Sequence, residues 1–144
     1  MPQIQVIKLN FKDKDYTRIK NIRKIVFADE LGISESELFD ECDKFCDHFI
    51  IFDGKNIVGS VRFISLGKTI KLERMAILQE FRRKNYGKNS ILQLKEFYNA
   101  QGYTQITLDS IYTVRDFYKK CGFLEKGDIF QRVGIDHIRM SLTL

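Results

Sequence analysis

The sequence lacks the marks of a secreted or membrane-bound protein. Its three cysteines are an odd number, so a disulfide framework is excluded and free thiols are expected. No apolar run approaches the roughly 20 residues that span a membrane. The first residues, Met-Pro-Gln-Ile-Gln-Val, do not have the architecture of a signal peptide. These absences predict a cytoplasmic protein with no membrane partner.

Histidine is also scarce, which argues against a metal site. Cys42, Cys46 and His48 have part of the spacing of a zinc site. However, the sequence has only two histidines, and no second Cys or His pair follows at zinc spacing. We therefore expect no metal ion.

Tryptophan is absent, yet the sequence has enough bulky apolar residues for a hydrophobic core. It contains twelve Phe and six Tyr and is 44% hydrophobic and 30% charged, as in an ordinary soluble protein. The 144 residues contain no linker, repeat or low-complexity segment, so a single domain over residues 1–144 is predicted. The net charge of +5 indicates an anionic partner, either a nucleic acid or a small phosphorylated molecule.

Apolar periodicity and turn residues predict a mixed α/β fold. Strands are predicted at residues 3–9, 48–52, 57–65, 69–78 and 104–108, around Phe130, and at residues 137–142. Asp53-Gly54-Lys55-Asn56 contains the Asp-Gly pair of a tight hairpin turn. Helices are predicted around the apolar face of Ile19, Ile22 and Val26, at residues 34–42 after a capping box of Ser34 and Glu37, at about 87–102, and at about 111–121.

The turn between the fourth predicted strand and the next helix is basic. Arg82, Arg83 and Lys84 precede a helix N-terminus, whose free N–H groups and dipole favour an anion, and Gly87 lets a ligand approach the backbone. A nucleotide-binding P-loop would need glycine where Arg82 stands, and a dinucleotide fingerprint would need three glycines instead of one. The turn is predicted to bind phosphate, and a solvated basic turn is the alternative.

Three segments resemble one family. Arg82-Arg83-Lys84-Asn85-Tyr86-Gly87 is similar to the pyrophosphate loop of the GCN5-related N-acetyltransferase (GNAT) family, Gln/Arg-x-x-Gly-x-Gly/Ala. Asn85 replaces the first glycine, and asparagine tolerates left-handed backbone angles. Phe117-Tyr118-Lys-Lys-Cys-Gly122-Phe123 matches the family's Phe-Tyr-x-x-x-Gly-Phe pattern. The tail Val133-Gly-Ile-Asp-His137-Ile-Arg-Met140 resembles that of a bacterial subgroup of the ElaA and YjcF type.

The resemblance implies a fold and an activity. The fold would be a mixed, mostly antiparallel sheet of about seven strands flanked by about four helices. The activity would be direct transfer of an acetyl group from acetyl-CoA, as co-substrate, to a primary amine of a small molecule or protein, and a homodimer is common in the family. Two alternatives stay open at this point, a basic nucleic-acid-binding domain and an acyl-CoA sensor that catalyses nothing.

The resemblance also implies contacts to the co-substrate. They lie on the fourth strand, the basic turn and the last predicted helix: Met75, Ala76, Ile77, Arg82, Arg83, Lys84, Asn85, Tyr86, Gly87, Lys88, Phe117 and Tyr118. The strand contacts would be made by the backbone, in the manner of an added β-strand.

Three side chains are candidates for catalysis. Tyr118 would give a proton to the leaving thiolate, and its alternative role is that of a core aromatic residue. Glu73 or His137 would take a proton from the amine, and strict alternation along the strand puts Glu73 on the same side as Met75 and Ile77. Cys121 is not expected to act as a nucleophile, because no histidine is close in sequence to activate it.

An acidic segment between the first and second strands lies where the family binds its acceptor. Its seven carboxylates are Asp29, Glu30, Glu35, Glu37, Asp40, Glu41 and Asp43. They would form an acidic rim that attracts a cationic amine, and a solvated helix face is the alternative.

Overall fold

The computed structural model describes residues 3–144, which form one seven-stranded sheet flanked by helices. The strands are β1 (Ile4–Leu9), β2 (Asp47–Asp53), β3 (Asn56–Leu66), β4 (Thr69–Ile77), β5 (Gln105–Ile111), β6 (Leu124–Arg132) and β7 (Ile135–Thr143). The helices are α1 (Tyr16–Arg23), which continues as a wider π-helical segment (Lys24–Glu30), α2 (Tyr86–Ala100) and α3 (Arg115–Lys120). The predicted mixed sheet and the order of its seven strands along the chain are therefore confirmed.

The strand order in the sheet is β1-β2-β3-β4-β5-β7-β6, and only β4 and β5 are parallel. The predicted hairpin turn joins β2 to β3, and Gly54 at its tip has a left-handed φ of 60°. The chain leaves β4, forms α2 and returns as β5, which makes this pair parallel because the connection crosses over the sheet. The sheet is thus antiparallel on both sides of one parallel pair.

Strands β4 and β5 separate partway along their length. They pair only between Thr69–Leu72 and residues 105–108, and the remainder of β4 is hydrogen-bonded to β3 alone. A β-bulge lies just past this point, because one residue of β3 faces both Arg74 and Met75 of β4. The two strands therefore leave a gap at the centre of the sheet.

The bulge also reverses the alternation of side chains along β4. Glu73 pairs with Arg62, and Ala76 packs against α1, whereas Met75 and Ile77 pack on the opposite face of the sheet with α2. The prediction that Glu73 shares a side with Met75 and Ile77 is therefore wrong, because one extra residue shifts a period-two pattern by one.

A hydrophobic core fills each face of the sheet. On one face, called here the α2 face, Ile91, Leu94 and Tyr98 of α2 pack on the strands. On the other, the α1 face, Ile19 and Ile22 are buried together with Val26 of the following segment, which confirms the apolar face predicted for this helix. Each such side chain contributes about 1.5–3 kcal/mol by leaving water.

The short helix predicted at residues 34–42 is wrong, and so is its capping box. The segment forms two single 3₁₀ turns, Glu35–Glu37 and Glu41–Lys44, and Ser34 bonds to the hydroxyl of Ser36 and caps nothing. The carbonyl of Leu38 accepts hydrogen bonds from Arg23 and Arg74, so it is not available to continue a helix. The structure therefore has three α-helices, one fewer than expected.

Two buried arginines connect this segment to the sheet. Arg23 and Arg62 are each 1% exposed. Arg62 donates five hydrogen bonds to Asp40, Asp43 and Glu73, at 2.7 to 3.1 Å, and Nη1 of Arg23 lies 3.0 Å from Oδ1 of Asp43. The segment is thus fixed by ion pairs more than by regular backbone hydrogen bonds.

Within residues 3–144, no helix has both the length and the apolar character needed to cross a membrane.

Candidate active site

A cleft of about 740 Å³ occupies the gap between β4 and β5. Its walls come from the segment after α1, from β4 and β5, from the start of α2, from α3 and from the turn between β6 and β7. The three candidate catalytic residues, Tyr118, Glu73 and His137, all line this cleft. Of the residues predicted to contact the co-substrate, Lys84 alone does not line it. Residues that are up to 64 positions apart in sequence therefore meet at one site.

The cleft wall contains an unusual concentration of left-handed backbone. Among residues 3–144, the non-glycine residues with positive φ are Arg74 (54°), Arg83 (61°), Asn85 (66°) and Val133 (47°). All four line the cleft. Such backbone costs about 1–3 kcal/mol per residue and is typical of functional sites. The left-handed conformation foreseen for Asn85 is confirmed.

The loop before α2 presents a run of free backbone donors. In the described part of the chain, the N–H groups of residues 83–88 donate to no protein acceptor, whereas those of Phe81, Arg82 and Asn89 do. The run ends in the first turn of α2, where the helix dipole is positive. Consecutive unpaired donors at a helix N-terminus are suited to binding an anion.

Two of the predicted loop contacts are engaged elsewhere through their side chains. Arg82 donates from Nε to the carbonyl of Ile77, at 2.8 Å, and from Nη2 to Glu30, at 2.6 Å. The Tyr86 hydroxyl donates to Asp53, and this hydrogen bond raises the pKa of the phenol. Because the N–H of Arg82 also donates to Gln79, only the backbone N–H of Tyr86, or a rearranged Arg82 side chain, remains for an anion.

Three other cations line the cleft near the loop. Arg83, Lys88 and Lys120 are exposed, and none of them forms an ion pair with a residue that the structure describes. Lys120 was not predicted, because nothing in the sequence around α3 indicates that its end lies beside the loop. These three side chains can neutralise a polyanionic ligand.

Gly87 allows α2 to approach α3 closely. A Cβ at this position would lie 2.8 Å from Cζ of Phe117 and 3.6 Å from Ile77. The Phe117 ring therefore lies directly against the first turn of α2. This contact accounts for the joint presence of Gly87 and Phe117 in the sequence, and it fixes the adjacent Tyr118.

Tyr118 lines the cleft and carries its proton at neutral pH. It packs between the rings of Phe117 and Phe123, is 8% exposed, and forms no hydrogen bond with any of residues 3–144. Burial, together with the nearby Cys121, raises the pKa of its phenol above the ordinary value of 10. The hydroxyl is therefore protonated at neutral pH and faces the cleft without a competing partner.

Cys121 is not suited to act as a nucleophile. Burial raises the pKa of its thiol to about 11, although Lys88 opposes the shift. The thiol is thus protonated at neutral pH, which agrees with the expectation that it is no nucleophile.

His137 has the geometry of a base. Its Nδ1 lies 2.8 Å from the carbonyl oxygen of Ile135, so Nδ1 carries the proton and donates it. The ring is stacked on Phe130 with centroids 5.9 Å apart. In the neutral ring, Nε2 is left with a lone pair that can accept a proton.

Both carboxylate oxygens of Glu73 contact cationic side chains. Its Oε1 accepts hydrogen bonds from Nε and Nη2 of Arg62, at 3.1 and 2.7 Å, and its Oε2 lies 3.6 Å from Nζ of Lys71. Of the two candidate bases, His137 therefore has the freer acceptor atom.

Asp109 is a cleft residue that the sequence did not reveal. Its side chain is 2% exposed and lies within 3.1 Å of Lys71, Arg132 and Arg139. Burial raises the pKa of this carboxyl, but hydrogen bonds from Arg139 and Lys71 outweigh burial and lower the pKa to about 2. Its three partners come from β4, β6 and β7, so no local sequence pattern could identify the cluster.

Three of the seven carboxylates of the acidic segment are paired with arginines, whereas Asp29, Glu35, Glu37 and Glu41 are exposed. Asp43 is enclosed by Arg23 and Arg62, Asp40 contacts Arg62 and Arg74, and Glu30 pairs with Arg82. These carboxylates are neither free to attract an amine nor merely solvated. Their charges are balanced by arginines, inside the protein for Asp43 and at its surface for Glu30 and Asp40.

The sequence matches a family model described as an acetyltransferase (GNAT) domain over residues 33–144. It is 32% identical over 138 residues to the uncharacterised protein YyaT of Bacillus subtilis, a match that spans 94% of this chain and 93% of that protein. It is 28% identical over 120 residues to the uncharacterised N-acetyltransferase YjcF of the same bacterium, over 83% of this chain and 86% of YjcF.

Solved structures have the same fold at low sequence identity. Escherichia coli ElaA superposes with a TM-score of 0.82 and 16% identity, over 97% of this chain and 99% of ElaA. An acyl-CoA N-acyltransferase of Pseudomonas aeruginosa gives a TM-score of 0.79 and 14% identity, over 97% and 99%. A Bacillus subtilis acetyltransferase in complex with CoA gives 0.74 and 16%, over 99% of both chains. Together with the family match and the relatives, these results confirm the resemblance: this chain belongs to the GNAT family of acetyl-CoA-dependent N-acetyltransferases.

Proposed function

We propose that this protein transfers the acetyl group of acetyl-CoA directly to a primary amine bound in the cleft between β4 and β5. One observation carries the proposal. Of residues 83–88, whose N–H groups have no protein acceptor, all but Lys84 line a cleft that also contains Tyr118 and His137. An anion site, a proton donor and a proton acceptor in one cavity are what this transfer requires.

The residues of the cleft fit acetyl-CoA. The N–H groups of residues 83–88 would bind the diphosphate, and Arg83, Lys88 and Lys120 would neutralise its charge. The edge of β4 at residues 73–77 faces the gap without a partner strand, so its peptide groups can pair with the amides of the pantetheine arm. A Bacillus subtilis acetyltransferase of the same fold is known in complex with CoA, which supports this assignment.

The chemistry assigns one task to each group. Acetyl-CoA, when bound, supplies a thioester whose carbonyl carbon forms a bond to the amine nitrogen as its bond to sulfur breaks. His137 Nε2 takes a proton from the amine, and the Tyr118 hydroxyl gives a proton to the thiolate that leaves. A backbone N–H of residues 75–77, beside the bulge, donates to the carbonyl oxygen as negative charge develops there. His137 and Tyr118 recover their protonation states by exchange with solvent.

The binding mode is tested by titration calorimetry of CoA into purified protein. Replacing both Arg83 and Lys88 with Ala is expected to raise the Kd for CoA about 10- to 100-fold, because each change removes a charged partner of the phosphates. The backbone donors remain, so binding is weakened and not abolished.

Lys55→Ala is the matched control. Lys55 is an exposed cation in the turn between β2 and β3, away from the cleft. The Kd for CoA is expected to be unchanged in this variant. Equal Kd values for the double variant and the native protein would show that CoA does not bind at the loop and would overturn the proposal.

A further inference from the structure

One end of the cleft is formed by a strip of charged side chains on the α1 face of the sheet. Residues that pair across neighbouring strands have their side chains on the same face of the sheet. Asp109 pairs with Arg139, and His137 pairs with Ile111 on one side and with Phe130 on the other. Arg132 is two residues from Phe130 and so lies on the same face. The members of this charged strip are Lys71, Glu73, Asp109, Arg132, His137 and Arg139, and all of them except Arg139 line the cleft.

Every carboxylate of the strip is already neutralised. Asp109 contacts three cations, Lys71, Arg132 and Arg139, at 2.9 to 3.1 Å. Glu73 contacts two, Lys71 and Arg62. Through Arg62 the strip is continuous with the buried ion pairs beneath α1.

The whole ion-pair network has more positive than negative charge. Its cations are Arg23, Arg62, Lys71, Arg74, Arg132 and Arg139, and its carboxylates are Asp40, Asp43, Glu73 and Asp109. Six cations and four carboxylates leave two positive charges in excess. Glu37, an exposed carboxylate that also lines the cleft, offsets one of these charges. The remaining positive excess in a partly enclosed cleft favours an anion over a polycation.

Arg132 presents unused donors to the cleft. Its side chain is 47% exposed, and only Nη1 is occupied, at 3.0 Å from Asp109. Within residues 3–144 its Nε and Nη2 have no acceptor. The guanidinium lies over the ring of Phe130, 5.5 Å from the centroid, and the same ring is stacked on His137. Arg132, with its free donors, and His137, the candidate base, therefore both contact the Phe130 ring.

The turn that carries Arg132 is strained. Val133 and Gly134 connect β6 to β7 and have φ values of 47° and 75°, as in a type I′ turn, which disfavours a β-branched residue such as valine. Val133 lines the cleft next to Arg132. Val133 thus places an apolar side chain at the rim of the cleft, although its left-handed backbone conformation is energetically unfavourable.

We propose that the acceptor is an amine that also carries a carboxylate, an amino acid or a similar molecule, and that Arg132 binds this carboxylate while His137 takes the proton of the amine. The inference rests on the proposed function. A carboxylate matches the two free donors of the guanidinium and the excess positive charge of the network. Arg132 would therefore determine which amines are acetylated.

The test compares acceptors that differ only in charge. Release of CoA is measured for L-amino acids, for their carboxamides, for aminoalkyl phosphonates and for spermidine. The expected result is a kcat/KM at least 10-fold higher for an amino acid than for its amide and for spermidine. Equal or higher values for amides or spermidine would overturn the proposal, as would acetylation of none of these amines. Higher values for phosphonates would overturn the choice of carboxylate.

Arg132→Gln separates recognition from a structural effect. This variant is expected to raise KM for the amino acid about 10-fold, with kcat and the KM for acetyl-CoA unchanged, and so to abolish the preference over the amide. Arg18→Gln, at an exposed arginine of α1 outside the cleft, is the control and should leave the preference intact. A preference that survives in Arg132→Gln would contradict the assignment. Calorimetry with CoA reports on the proposed function separately from this panel.

Discussion

Replacement of Tyr118 with Phe is expected to lower kcat about 10²- to 10³-fold and to leave the Kd for acetyl-CoA unchanged. The change removes one oxygen atom from a side chain that packs between Phe117 and Phe123, so packing is preserved. What is lost is the proton donor for the leaving thiolate. Cys121 is not expected to substitute, because it does not line the cleft.

Steady-state release of CoA and titration calorimetry check this prediction together. Tyr103→Phe is the matched control, since the Tyr103 hydroxyl bonds to Ser65 on the surface, away from the cleft, and kcat should not change. Native kcat in Tyr118→Phe would rule out the acid role and leave Tyr118 as a core aromatic residue. A loss of binding in place of turnover would indicate that its hydroxyl positions the co-substrate.

Replacement of Arg62 with Leu is expected to lower the free energy of unfolding by about 3–5 kcal/mol. Arg62 is 1% exposed and donates five hydrogen bonds to three carboxylates. Without it, Asp43 stays buried with one arginine fewer, and Glu73 keeps only Lys71. The measurement is urea denaturation followed by circular dichroism at pH 7.

The control for this prediction is Arg18→Leu, which removes an exposed ion pair with Asp15 and should cost less than about 1 kcal/mol. Equal losses in the two variants would show that the buried network contributes no more than a surface pair.

The pH dependence of the stability is a second check. Hydrogen bonds from Arg62 hold the pKa of Asp40 below the ordinary value of 3.8, so the folded carboxylate stays charged where the unfolded one is protonated. The stability that this pair contributes is complete above that value and is lost as the pH falls below it, so the difference between native and Arg62→Leu should shrink in acid.

Local patterns in the sequence predicted the elements that depend on neighbouring residues. The Asp-Gly pair at Asp53 and Gly54 requires a tight turn, and the spacing of Ile91, Leu94 and Tyr98 requires a helix, whatever lies elsewhere in the chain. The basic loop before α2 was predictable for the same reason, since it consists of a helix N-terminus and the residues just before it. The left-handed Asn85 followed from the chemistry of asparagine alone.

Features that depend on distant residues were not predictable. The bulge in β4 arises from its pairing with β3, and no local pattern in Glu73-Arg-Met-Ala indicates it. The alternation of side chains along β4 was therefore predicted wrongly. The segment at residues 34–42 has good helix-forming signals, but Arg23 and Arg74 take the carbonyl of Leu38 and override them. The Asp109 cluster joins strands that are adjacent only because β7 lies between β5 and β6.

Direct acetyl transfer is tested most simply by mass spectrometry of all species in one reaction. The protein is incubated with acetyl-CoA, with and without a mixture of L-amino acids, their amides and spermidine. We expect CoA to be released only when amines are present, in equal amount to an acetylated amine, with the mass of the protein unchanged. An acetylated protein in the reaction without amines would contradict direct transfer, and acetyl-CoA that remains intact in both reactions would contradict the activity itself.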